Sequence, residues 1–238
     1  MIDAVPLLDL FCGAGGCSVG YARAGFAPYG VDHDAAALGR YPFPSLRADA
    51  LDVLDWRTDV DPDRFVGLHA SPPCQAYSAG TRGTDRSAHP DLLLPVLDRV
   101  RAWGQARPGR VWVVENVPGA PFPPDVWVVE VCGAHRRAFD PHSGRTLRLR
   151  RHRLFAVSHP ILVEPCACDA TPIGGVYGAG SRTPAAALAR GGGYTPPTDV
   201  QRALMGCEWM TGDQARQAIP PDYTETIGRA LLDAVAVP

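Results

Sequence analysis

Four short stretches of the 238-residue sequence carry side chains whose types and spacing could do chemistry. In "SPPCQ", residues 71–75, Cys74 follows two prolines. Each proline fixes its own φ near about −65° and drives the residue before it towards extended conformations, so the thiol is presented at a set angle. "VVENV", residues 113–117, ends an apolar run in Glu115 and Asn116, and "LRRHRLF", residues 149–155, opens another with Arg151 and Arg153. A firmly held thiol, a carboxyl group and guanidinium groups are the parts of nucleophilic catalysis: sulfur adds to an electrophilic carbon, the carboxyl group handles a proton, and the arginines steady developing charge. Taken singly, the three stretches read as a rigid turn, a turn opener and a solvated face; their weight lies in the combination. The fourth, "DLFCGAGG" at 9–16, is a glycine-rich turn that would let a ligand approach backbone amides at a helix N-terminus. Asp32 ends the next apolar run, about twenty residues on, where an acid can accept hydrogen bonds from a ribose diol. "GAGGCS" lacks the third glycine of the dinucleotide fingerprint, so a single adenosine-type ligand fits better than a dinucleotide.

The elements that must position these groups alternate along the chain. "VPLLDLF" reads as a buried strand, "CSVGYARAGF" as a helix, "APYGVDHD" as a second strand with an acidic end and "AAALGRY" as a short helix. "DRFVGLHA" and "RVWVVENV" are further strands, separated by "HPDLLLPVLDRVRAWGQAR" with helical spacing of its leucines and valines, and "RHRLFAVS" supplies another strand. This alternation predicts an α/β fold with a mostly parallel sheet and helices on both faces, and it gathers ligands and chemistry outside the carboxyl ends of the strands. From 159 to 197 the pattern stops in Gly/Pro-rich segments, and it returns in "TDVQRALMG" and "PDYTETIGRALLDAVA".

Composition narrows the class. With 46% hydrophobic and 20% charged residues the chain is globular, with one principal core expected. No apolar stretch approaches the roughly 20 residues that span a bilayer, and the N-terminus has Asp3 where a signal peptide carries positive charge. The expectation is a soluble, intracellular protein. The seven cysteines are odd in number and scattered, which reads as reduced thiols rather than a disulfide framework. The net charge of −2 argues against bulk coating of nucleic acid. All 23 basic residues are arginine, and seven of them crowd into positions 136–153 beside the lone acid Asp140.

In this order the motifs resemble those of the DNA cytosine-5 methyltransferase family, over nearly the whole chain. "DLFCGAGG" looks like the S-adenosylmethionine loop, "VDHD" and "RADA" like the second and third motifs, "PPCQ" like the catalytic fourth and "ENV" like the sixth. "RRHR" is similar to the eighth motif, "DVQRALMGCEWM" to the ninth and "QAIPPDYTETIG" to the tenth, which returns to the cofactor pocket. The resemblance implies a Rossmann-like S-adenosylmethionine-dependent methyltransferase fold, with residues 1–158 as catalytic and cofactor-binding domain, 159–197 as a reduced target-recognition region and 198–238 as helices completing the catalytic domain. It implies S-adenosylmethionine as cofactor, held by Phe11, Gly13, Ala14, Gly15, Gly16, Asp32, His33, Asp49 and Ala50. Cys74 becomes the nucleophile on carbon 6 of a flipped cytosine, Glu115 the acid facing ring N3, and Arg151 and Arg153 the donors to O2 that also lower a nearby thiol's pKa. Pro73, Gln75 and Asn116 are expected around the base, and Arg182, Arg190 and Tyr194 at base edges.

Leu149 stands where the family often has glutamine, and Arg216 with Gln217 where it has Gly-Asn. The implied partner is duplex DNA, bound by a monomer in the cytoplasm of a bacterial cell, encoded by host or phage, with phosphate contacts from the cluster at 136–153. An RNA (tRNA) cytosine-5 methyltransferase and a non-catalytic DNA-binding relative are the competing readings. Cys132, His135, Cys166 and Cys168 could in principle offer four zinc ligands, but Cys-x-Cys is an unfavourable spacing and no metal is expected.

Overall fold

The computed structural model describes residues 4–78, 89–177 and 193–235. Its main sheet has seven strands in the order β3-β2-β1-β4-β5-β9-β6. These are β1 (Val5–Leu10), β2 (Phe26–Asp32), β3 (Ser45–Arg47), β4 (Gly67–Ala70), β5 (Val111–Asn116), β6 (Trp127–Cys132) and β9 (His152–Val157). The first five in spatial order are parallel, and β9 runs antiparallel to both of its neighbours. Because β2 lies on one side of β1 and β4 on the other, the loops leaving β1 and β4 part from each other and leave a crevice between them. The reversed direction of β9 brings its first residues, not its last, to that same end: Glu115 lies opposite Phe155 and Asn116 opposite Leu154.

Both faces of the sheet are covered. Helix α1 (Gly16–Ala24) and the long C-terminal helix pack on one face, where Tyr21, Phe26, Phe155, Tyr223 and Ile227 are buried together. On the other lie the short α3 (Ala50–Leu54) and α4 (Leu93–Gln105), with Leu8, Leu10, Leu68 and Trp103. Helix α4 forms because Leu93, Val96, Leu97, Val100 and Trp103 recur at three- and four-residue intervals and are all buried, each contributing about 1.5–3 kcal/mol of transfer free energy. The four-residue α2 (Ala35–Leu38) is capped by Asp34, whose carboxylate accepts from the Ala36 amide.

A second sheet, in the order β10-β8-β7, comprises β7 (Arg137–Asp140), β8 (Arg145–Leu149) and the two-residue β10 (Ile173–Gly174). It shares a core of Leu147, Leu149, Tyr194, Leu204 and Met205 with α5 (Thr198–Met205) and α6 (Gly212–Gln217), and this core reaches Ala14 in the glycine-rich turn. Helix α7 (Pro221–Val235) completes the chain.

Strands β7, β8 and β9 carry four of the seven clustered arginines, and their folding changes the reading of the cluster. Arg136 donates to the carbonyls of Leu204 (2.6 Å) and Ala203 (3.2 Å) and pairs with Asp222. The last carbonyls of a helix have no partner within it and carry partial negative charge, so a guanidinium there closes the end of α5. Arg148 is buried and donates to the carbonyls of Thr171 and Asp169, and Arg137 pairs with the Asp169 carboxylate at 2.7 Å. The expectation that this whole cluster faces phosphate is therefore corrected: of its seven arginines, Arg136, Arg137, Arg148, Arg151 and Arg153 have partners inside the protein, whereas Arg145 and Arg150 are exposed.

Candidate active site

The loop after β4 and the end of β5 are tied together. Asn116 is fully buried; its side-chain amide donates to Pro72 O at 3.2 Å and its carbonyl accepts from Val117 N at 2.9 Å. Its expected place beside the base is corrected by this burial: the side chain positions the Pro-Pro-Cys loop from behind. Beyond Cys74 the chain turns at once, with the amides of Tyr77 and Ser78 both donating to Cys74 O. On the strand side, His69 is wholly buried between Tyr21 Oη (3.0 Å) and Ser71 Oγ (2.7 Å), and burial depresses its pKa to about 3, so it holds the start of the loop as a neutral ring.

These segments wall a cavity of about 1590 Å³, which Cys74, Glu115, Arg151 and Arg153 share with Phe11, Gly13, Ala14, Gly16, Asp32 and His33. Arg153 Nε lies 2.9 Å from Glu115 Oε1 as an ion pair, but off the hydrogen-bonding direction, so that among the described residues Oε1 has no hydrogen-bond partner. Arg151 is buried; one terminal nitrogen donates to Arg216 O at 2.8 Å, while its Nε has no partner among the described residues. Two buried polar atoms left without partners on one cavity wall, an acceptor and a donor, leave hydrogen bonds for a ligand to make.

Burial sets the protonation states. It is the largest cause raising the Glu115 pKa, against the lowering pull of Arg153 and then Arg151. The Cys74 thiol is also raised, first by burial and then by the Glu115 charge, with Arg153 and Arg151 opposing. The expected acidification of the thiol by the arginines is thus present but outweighed. Arg151 itself is lowered to about 10, chiefly by burial and then by Arg153. A carboxyl group and a thiol both raised above their ordinary values favour an acid able to protonate a ring nitrogen, and a sulfur that ionises as it attacks.

The glycine-rich turn forms the other half of the cavity. Phe11 has φ 60, a conformation rare for a bulky residue and characteristic of strained functional turns, and Gly13 follows with φ 53. A Cβ added to Gly13 would meet nothing within 4 Å, so the space beside its backbone is open to a ligand. Gly15 (φ 89) has no such room: its Cβ would come within 2.8 Å of Pro42 and 3.0 Å of Tyr41, and a Cβ on Gly16 would strike Ile219 O at 2.4 Å. Asp32 accepts from the amides of Gly13 and Asp34, each at 2.8 Å, and its oxygens keep further lone pairs for a diol. His33 projects beside it, 81% exposed, free to stack on a flat ring.

Asp49 and Ala50 are placed elsewhere. Asp49 caps α3 by accepting from Leu51 N at 2.7 Å, Ala50 is in the core, and neither borders the cavity, contrary to their expected contact with the cofactor. Pro73 and Gln75 do border it. Tyr194 also reaches its wall, but it is 4% exposed with its hydroxyl donating to Asp140, which corrects its expected contact with a base edge in the grooves. Arg182 and Arg190 lie outside the described residues. Tyr177 was not foreseen: it is 61% exposed on the cavity wall, with its hydroxyl directed at Arg150 O, and its only sequence signal is an aromatic in "GGVYGAG". The C-terminal segments close over the turn, with Trp209 Nε1 donating to Ala14 O (2.9 Å), Gln214 to Ala36 O (3.2 Å) and Thr224 Oγ1 to Cys17 O (2.8 Å).

Residues 5–121 match the family model of C-5 cytosine-specific DNA methylases. The type II methyltransferase M.AgeI of Thalassovita gelatinovora is 34% identical over 122 residues, which are 47% of this chain and only 28% of that relative's length. Among solved structures, a protein assigned as a DNA modification methyltransferase encoded within an E. coli prophage superposes with a TM-score of 0.56 at 15% identity, covering 96% of this chain and 99% of its own. A methyltransferase of Entamoeba histolytica gives 0.56 at 11% identity, covering 97% and 98%. At such identities the two structures establish a shared fold. No described helix is long and apolar enough to cross a membrane. The segment that holds the glycine-rich turn, Cys74 and Glu115 is thus the part of this chain that matches the C-5 cytosine-specific DNA methylase family.

Proposed function

We propose that the protein transfers a methyl group from S-adenosylmethionine to carbon 5 of cytosine in duplex DNA, through a covalent adduct of Cys74 with a base flipped out of the helix. The observation that carries this reading is the sharing of one cavity lining by the Cys74 thiol, by Glu115, whose Oε1 is paired with Arg153 but accepts no hydrogen bond among the described residues, and by Arg151, whose Nε donates none among them, together with the glycine turn and Asp32. The residues fit the cofactor: the open space beside Gly13 admits it, Asp32 can hold its ribose and His33 can stack on its adenine. When bound, S-adenosylmethionine supplies an electrophilic methyl group.

Carbon 5 of cytosine is too weak a nucleophile to take that methyl unaided. Cys74 gives its proton to solvent and its sulfur adds to carbon 6, while Glu115 protonates N3, so that carbon 5 gains enamine character and the methyl is transferred to it. Arg151 Nε and the Arg153 guanidinium stabilise the base at O2 as electron density shifts. Carbon 5 then loses its proton to solvent, the bond from carbon 6 to sulfur breaks, and N3 returns its proton to Glu115. Extracting the base from the stack costs a few kcal/mol, roughly, which contacts in this cavity must offset. Asn116 holds the Cys74 loop against β5 throughout, and the exposed Arg145 and Arg150 serve as phosphate contacts.

Methyl transfer from tritium-labelled S-adenosylmethionine to duplex DNA, single-stranded DNA and tRNA tests the proposal. Label in duplex DNA, recovered as 5-methylcytosine, is the expected result. Label in tRNA alone would move the activity to RNA, and cofactor binding with no transfer to any substrate would leave a non-catalytic relative.

A further inference from the structure

Strands β6 and β9 are antiparallel with Cys132 directly opposite His152, and the chain leaving β9 returns along this edge with Cys166 and Cys168. Their ligand atoms converge. Cys132 Sγ lies 3.6 Å from Cys168 Sγ and 3.5 Å from Cys166 Sγ; His152 Nε2 lies 3.3 Å from Cys166 Sγ and 3.9 Å from Cys168 Sγ. All four atoms fall within 4.8 Å of one another. A tetrahedral zinc ion, with Zn–S near 2.3 Å and Zn–N near 2.0 Å, sets ligand-to-ligand edges of about 3.5–3.8 Å, and the observed separations bracket them.

Core packing does not account for the cluster, because Cys166 and Cys168 are exposed. Disulfide pairing does not account for it either, since three thiols leave one over and the imidazole has no part in it. The surroundings suit a metal. Three thiolates and a dication leave one negative charge, and the buried Arg148 guanidinium reaches Cys168 Sγ at 3.3 Å while holding the carbonyls of Asp169 and Thr171. The linking segment 158–172 has no helix or strand, and within it Ile161 is buried but Leu162 is 92% exposed, so packing alone anchors it weakly.

We propose that Cys132, His152, Cys166 and Cys168 form a structural zinc site that fastens the 158–172 segment to the edge of the main sheet. Four protein ligands close the coordination sphere, which is the arrangement of a structural rather than a catalytic ion. The site lies beside the chemistry: His152 sits between Arg151 and Arg153, so fixing its imidazole fixes the start of the strand that carries both guanidinium groups into the cavity. The inference rests on the side-chain cluster and not on the methyl-transfer reading.

The test uses untagged full-length protein from zinc-supplemented cells, dialysed and analysed for metal by mass spectrometry. Wild type should hold a single zinc ion per chain, and Cys166→Ser and Cys168→Ser should each lose most of it. His135→Ala should retain it, because His135 Nε2 faces Asp222 at 3.4 Å and not the thiols. Replacement by cobalt should give the thiolate charge-transfer and tetrahedral ligand-field bands in wild type and none in Cys168→Ser. A strong chelator should lower the melting temperature of wild type by several degrees and leave that of Cys168→Ser unmoved. Wild type with little zinc and no cobalt bands, zinc retained after replacement of both Cys166 and Cys168, or an intact mass revealing a disulfide within the cluster would each overturn the proposal.

Discussion

Replacing Glu115 by glutamine separates two jobs that the carboxyl group could have. If it acts on the substrate as an acid, Glu115→Gln removes the proton for N3 and lowers turnover by about 10²-fold or more, the usual scale of general acid catalysis. The same substitution should make Cys74 more reactive, because the Glu115 charge raises the thiol's pKa and Arg153 and Arg151, which lower it, remain. Iodoacetamide should therefore alkylate Cys74 faster in the variant than in wild type above about pH 8, where an ordinary or moderately raised carboxyl is ionised. Stability adds a third readout. The folded-state pKa of Glu115 is raised, so its contribution to stability is full below the unfolded value and is lost as pH rises through the folded one. Glutamine abolishes that loss and keeps an oxygen for Arg153, so the variant should melt no lower than wild type at neutral pH, and relatively higher as pH increases. Alkylation that slows together with turnover would show instead that Glu115 is the base for the thiol, and turnover within tenfold of wild type would remove it from the chemistry.

Asp32→Ala should weaken S-adenosylmethionine by about 1.5–3 kcal/mol in calorimetric titration, the scale of hydrogen bonds to a charged group, and Glu115→Gln should leave that affinity nearly unchanged. Asp9 is buried beneath the turn, one oxygen bonded to Ser18 and the other without a partner among the described residues, and burial raises its pKa to about 7. Its raised folded value means stability is lost as pH climbs from the ordinary carboxylate range through about 7, so thermal melts of Asp9→Asn should lack the decline expected of wild type over that interval. Arg150→Ala should lower DNA affinity and reduce the slope of log K against log salt by about one, whereas Arg136→Ala should destabilise the fold by about 1–3 kcal/mol through the carbonyls and Asp222 it leaves behind.

The path from strand to turn to helix at 5–24 was legible because each step has a local cause: an apolar run, glycines where φ is positive, then helical periodicity. The Pro-Pro-Cys loop and the end of β5 were legible for the same reason, and with them most of the candidate site. Direction was not. "RHRLFAVS" reads as a strand whichever way it runs, and only its pairing with β5 and β6 reverses it. The strands at 127–149 were missed because their apolar residues alternate with Glu130 and arginines whose partners, such as the carbonyls closing α5, lie 67 and 68 residues away. The thiol cluster failed in an instructive way. Spacing along the chain pointed to His135, three residues from Cys132, whereas the β6/β9 register places His152 opposite that cysteine. Burial also changed roles that motif order had assigned, turning Asn116 into a brace and Tyr194 into a support for Asp140.

The central claim is that Cys74 adds to carbon 6 of cytosine in DNA, and trapping that adduct tests it most directly. Duplex DNA containing 5-fluorocytosine, incubated with the protein and S-adenosylmethionine, offers no proton at carbon 5 to release, so the sulfur cannot be expelled after methyl transfer. A band that survives denaturation, dependent on the cofactor and joined to the peptide containing Cys74, is the predicted result, with none formed by Cys74→Ala. An adduct that persists in Cys74→Ala, or methyl transfer to ordinary cytosine by that variant at the wild-type rate, would contradict the account.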